Sequence, residues 1–137
     1  MSTFKSPEVL INRSSKYLFN KLGDLNNLRA ILPKEIEEFQ STETSCSFKM
    51  KGLPKLIFEI SEKFEYSKIT YKAIDSQVPL LLTCHIKENE NNCPAQLEIN
   101  AELNIMMKMM VEKPLNNFLD ILSRKIRTTQ FGCFLNT

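Results

Sequence analysis

The chain has 137 residues, 42% of them hydrophobic, enough for one globular domain with a sizeable core. Its 18 basic and 16 acidic residues leave a formal charge of +2 and are scattered rather than blocked, so no basic platform for nucleic acid stands out. Residues 1–9 hold no apolar segment of secretory-signal length, and the apolar stretch 78–82 is far short of the ~20 residues that cross a bilayer; the expectation is a soluble cytosolic protein without stable membrane insertion.

Residues 8–12 read as a first strand after Pro7. Ser14 or Ser15 can cap a short helix carrying Tyr17, Leu18, Phe19 and Leu22, which Gly23 ends. Asp24 can cap a second, with Leu25, Leu28 and Leu32, closed by Pro33. Neither helix is long enough to persist alone, so both must dock on a larger element. Strand patterns follow at 35–41, 44–50, 55–65, 67–74, 79–87 and 95–103. Their inward sets are Cys46, Phe48 and Met50; Phe58, Ile60 and Phe64; Ile69, Tyr71 and Ala73; and Leu80, Leu82, Cys84 and Ile86. Links such as 41–43 and 65–67 are too short for parallel crossovers, so the strands pair antiparallel. Ile36 and Phe39 have opposite parity, and that strand either starts late or carries a bulge.

Near residue 103 the apolar period changes. Leu97, Ile99, Ala101 and Leu103 alternate with Gln96, Glu98, Asn100 and Glu102, as on a strand buried on one face. Met107, Val111, Leu115, Phe118, Leu122 and Ile126 then form one helical stripe. An Asn104 cap and an end near Arg127 give a helix of ~35 Å, with Pro114 inside it and a bend expected near Met110. The pattern predicts an α+β fold: a curved antiparallel sheet of six or seven strands wrapped around a long C-terminal helix, with two short helices after the first strand. That shape can enclose a cavity. The core spans about 4–127, and 128–137 lose the period and read as a tail.

Candidate site residues come from the inward faces. Met106, Met107, Met109 and Met110 occupy little more than one turn, so only some can face the sheet, where flexible thioethers suit a ligand-lined space or fill the core. Tyr71 brings an inward hydroxyl that needs a protein group, a water or a ligand as partner. Phe58, Tyr71, Leu82, Met107 and Met110 form the predicted cavity lining. Cys46 and Cys84 read as reduced, buried thiols. His85, the only histidine, has the parity of the wet convex face, as do Glu59, Glu98 and Glu102. Neither a metal site, a catalytic residue, a phosphate-binding glycine loop nor a cofactor is called for.

The first-strand residues Pro7, Glu8, Val9, Leu10 and Ile11, the helix and turn at 18–24, and the segment 103–119 resemble the START-like, or SRPBCC, superfamily of the helix-grip fold, in particular its small bacterial members. The likeness covers roughly residues 4–127 and brings no catalytic motif. It implies an apolar cavity between sheet and long helix that takes lipids, polyketides or other hydrophobic molecules. The expected function is binding of a hydrophobic small molecule, lipid-like or aromatic, by a monomer or homodimer. The alternatives are a cyclase or dehydratase acting on a hydrophobic substrate, and a filled-core protein acting through surface contacts.

Overall fold

The computed structural model describes residues 2–32, 36–50, 55–74, 79–88 and 92–128. Strands β1 (Ser2–Lys5) and β2 (Val9–Ile11) are followed by helix α1 (Ser15–Leu22) and a 3-10 helix (Leu25–Ala30). Six more strands follow: β3 (Glu37–Ser41), β4 (Ser45–Lys49), β5 (Leu56–Phe64), β6 (Lys68–Ala73), β7 (Leu80–Ile86) and β8 (Cys93–Ala101). Helix α2 (Ile105–Thr128) completes the order. The strands form one antiparallel sheet in the order β1-β8-β7-β6-β5-β4-β3, with β2 also on β8. The predicted tail lies outside the described residues, except at Thr128, the last residue of α2.

The predicted first strand is part of a broken edge. β1 pairs with 98–101 and β2 with 93–95 along the same side of β8. Pro7 lies between them and has no N–H to donate. The neighbouring Ser6 fills the gap: its N–H donates to the Leu97 carbonyl at 2.9 Å, and its hydroxyl accepts from the Leu97 N–H at 2.9 Å.

Local chemistry sets the helices. The Ser14 hydroxyl accepts from the Tyr17 N–H, and the Asp24 carboxylate accepts from the Asn26 N–H, so each short helix has its cap. A Cβ at Gly23 would stand 3.0 Å from the Phe19 carbonyl and from Lys63 Nζ, which is why the chain turns there on a glycine. The Asn104 side chain caps α2 by accepting from the Met107 N–H at 2.8 Å.

The sheet's inner face buries Phe48, Phe58, Ile69, Tyr71, Leu82, Cys84, Leu97 and Ile99, while Ile60 and Leu103 are half-buried. On the outer face His85 and Glu102 are exposed, and Glu98 and Asn100 are half-buried. α2 buries Leu115, Phe118, Leu119, Leu122 and Ile126, but its first two stripe residues, Met107 and Val111, are only half-buried. Phe48 ties the layers together, stacked on Phe58 at 6.2 Å and on Phe118 of α2 at 6.0 Å.

Two bulges modify the alternation. In β3 the register shifts between Glu37 and Gln40 and Glu38 takes φ 55°, which accounts for the opposed parity of Ile36 and Phe39. In β5 it shifts between Ile60 and Glu62, so Lys63 rather than Phe64 pairs with the inward Ile69. The expectation that Phe64 points inward is therefore corrected: it is 51% exposed, with Lys68 Nζ 4.8 Å from its ring centre. One inserted residue exchanges the faces of everything beyond it. The hairpin then closes on α1 through Tyr66, which takes φ 112° at the turn and makes an edge-on contact with Phe19 at 5.5 Å.

Candidate functional site

Three elements converge on an apolar void of about 20 Å³. The sheet contributes Phe48, Phe58, Tyr71, Leu82, Cys84 and Leu97. α2 contributes Phe118, Leu122 and Ile126, and the α1 and 3-10 region closes it with Leu22, Leu28, Ile31 and Leu32. A space of this size accommodates about one water and lies well below the ~300–1,000 Å³ of a ligand pocket.

Polar bonds pin the cover over this void. The Tyr71 hydroxyl donates to the Leu22 carbonyl at the end of α1, at 2.6 Å and fully buried. Lys125 of α2 donates from Nζ to the Leu32 carbonyl at 3.1 Å. Between these points the 3-10 helix is held to the β3–β4 hairpin by Leu25 N–H to the Glu43 carbonyl at 2.9 Å and by the Ser41 hydroxyl to Asn26 Oδ1 at 2.6 Å. The cover is thus apolar underneath and polar at its attachments.

The titratable groups on the wall, and Cys46 beside it opposite Phe58, are held neutral. Burial, with the neighbouring Cys84 and Cys46 adding to it, raises the Tyr71 phenol well above its ordinary 10.0. Burial also pushes the Cys84 thiol up to about 12, helped by Cys93, and the Cys46 thiol up to about 12 against a weaker opposing hydrogen bond with the Phe58 backbone. A thiol raised in this way is a poor nucleophile, and a neutral phenol already donating to a carbonyl is a poor general base. Cys46, Cys84 and Cys93 are free thiols. Among the described residues no cluster of His, Cys, Asp and Glu could hold a metal ion.

Of the residues singled out from sequence, Phe58, Tyr71 and Leu82 stand together on the void's wall. Met107 and Met110 do not join them: Met107 is half-buried and Met110 is 70% exposed, on the opening turns of α2. Met110 lies ~12 Å along the helix from Phe118, where α2 meets the void. Phe48, Cys84, Leu97, Phe118, Leu122 and Ile126 had the inward signal in their parity or stripe position. Leu28, Ile31 and Leu32 had only local apolarity, and pattern gives no sign of where a short docked helix lands. His85 sits on the convex face, with Nε2 2.8 Å from Glu98 Oε1.

No protein-family model matches the sequence, and no curated protein matches it. Solved structures do match in shape. The XoxI protein of Bacillus cereus superposes with a TM-score of 0.73 at 13% identity, over 98% of this chain and 99% of that one. A START superfamily protein of Mycobacterium smegmatis gives 0.65 at 11% identity, over 92% and 97%. The fold is START-like. A Thermus thermophilus protein extends the agreement, with a TM-score of 0.69 at 15% identity over 93% of this chain and 95% of its own. At these identities the START-like helix-grip architecture is shared while side chains differ almost everywhere, so the chemistry of the site rests on this chain's own residues. Among the described residues, no helix is long and apolar enough to cross a membrane.

Proposed function

We propose that this protein binds a hydrophobic small molecule, lipid-like or aromatic, between the sheet, the 3-10 helix and α2. The observation that carries this reading is the continuous apolar wall contributed by three separate elements around an unfilled point, where the phenol of Tyr71 and the thiol of Cys84 are both kept neutral. Burial of an acyl chain there contributes ~0.8 kcal/mol per CH₂, offset by the cost of immobilising ligand and side chains. A void of about 20 Å³ is the closed state of such a site. Binding requires the cover at 25–32 to move outward, and its attachments at Leu22 and Leu32 are where that motion is restrained. Native mass spectrometry of freshly purified protein tests the reading. A co-purified apolar molecule, or uptake of a supplied fatty acid with one-to-one stoichiometry, supports it; bare protein that takes up no fatty acid contradicts it.

A second reading has an observation in its favour. The Phe48, Phe58 and Phe118 stack and the small void are what a filled core presents, with the protein acting through its surface. Under that reading apolar probes do not saturate the protein. The enzymatic alternative gains no base at the void, because the Tyr71 hydroxyl is already committed to the Leu22 carbonyl.

A further inference from the structure

The opening of α2 carries an apolar surface that the cavity does not use. Ile105 is 82% exposed, Met106 71%, Met109 78% and Met110 70%. They occupy adjoining rows four residues apart on one side of the helix, away from the half-buried Met107 and Val111. Beyond them the same side turns polar at Lys113, Asn116, Asn117 and Asp120, so the patch is bounded.

We infer that this patch is the two-fold contact of a homodimer, with the first turns of α2 crossing those of a second copy. Each exposed side chain offers roughly 150 Å², so covering four on both copies removes ~1,200 Å², the lower end of the range for specific interfaces. Rows at i and i+4 supply the ridges by which helices interdigitate. A two-fold axis centred on the four residues sets Ile105 against Met110 and Met106 against Met109. Other occupants fit less well. Lys108 and Lys113 are balanced by Glu102 and Glu112, so the patch lacks the basic surround that draws a helix to anionic lipid.

Sedimentation velocity across a wide concentration range tests this on the full chain. The expected result is a species of twice the 15.9 kDa chain mass. Met106→Glu with Met109→Glu abolishes it while the circular dichroism spectrum stays unchanged and the thermal midpoint becomes independent of protein concentration, because both side chains are exposed and acid is tolerated at a helix start. A wild-type chain that stays monomeric overturns the inference, including one that instead cosediments with phosphatidylcholine vesicles. So does a dimer that survives both methionine substitutions.

Discussion

Tyr71 shows how much one hydroxyl decides. Its inward parity was readable from the alternation of β6, but its partner was not, because the Leu22 carbonyl is 49 residues away in sequence. Tyr71→Phe keeps the ring and leaves that buried carbonyl unpaired, which costs ~1–3 kcal/mol. Urea titration checks this, and a change near zero means that the hydroxyl serves something other than the cover. The same buried groups predict alkaline sensitivity. Tyr71, Cys46 and Cys84 keep their protons in the fold above the pH at which the unfolded chain, with values near 10.0 for the phenol and 9.0 for the thiols, releases them. Above about pH 9 the unfolded state therefore binds fewer protons than the native state, and stability falls as pH rises, by about 1.4 kcal/mol per pH unit for each group so held. Below pH 9 these groups contribute no slope. Replacing Cys46 and Cys84 by alanine flattens the decline in a series of urea titrations between pH 8 and 11; an unchanged slope rules the thiols out as its source.

At the scale of elements, periodicity located nearly every strand and helix but not how far each is covered. α2 was legible as a helix from Asn104 onward, yet its stripe does not reveal that burial begins at Leu115. Tertiary placement decides that, and the repeat is the same on either side of Pro114. Mutations along α2 therefore divide sharply. Phe118→Ala and Leu122→Ala each cost ~2–5 kcal/mol through lost burial and an added cavity, while Met109→Ala costs less than ~0.5 kcal/mol. Urea titrations measure all three, and similar losses at 109 and 118 contradict the division. β5 gives the complementary lesson: the bulge between Ile60 and Glu62 falls in a run with no glycine or proline to mark it, so Phe64 was assigned to the wrong face. The cover over the void is held by a few separable attachments. Lys125→Met removes its attachment at Leu32 and speeds hydrogen exchange at residues 25–32, leaving β7 and β8 protected. Unchanged exchange at 25–32 shows that the 3-10 helix is held by its apolar contacts alone.

For the whole molecule, the sheet wrapped on a long helix was written in the change of period near residue 103, because one-sided burial leaves few other packings for such a sheet. The amount of space left inside was not written there. It depends on how Phe48, Phe58 and Phe118, from three different elements, stack against one another, and a one-dimensional pattern carries no information on that. The methionines show the same limit: sequence marked four adjacent flexible side chains, and only the fold distinguishes the half-buried Met107 from its exposed neighbours.

The central claim is that the apolar void opens to admit a hydrophobic ligand, and a fluorescence titration with an environment-sensitive apolar dye, followed by displacement with fatty acids of increasing chain length, tests it most directly. The predicted result is saturable one-to-one binding that fatty acids reverse. It persists when Met106 and Met109 are changed to glutamate, which removes the exposed patch as a source of signal, and it weakens when Leu28→Trp places a larger ring under the cover. Linear, unsaturable fluorescence, or binding that disappears with the two methionines and is indifferent to Leu28→Trp, contradicts it.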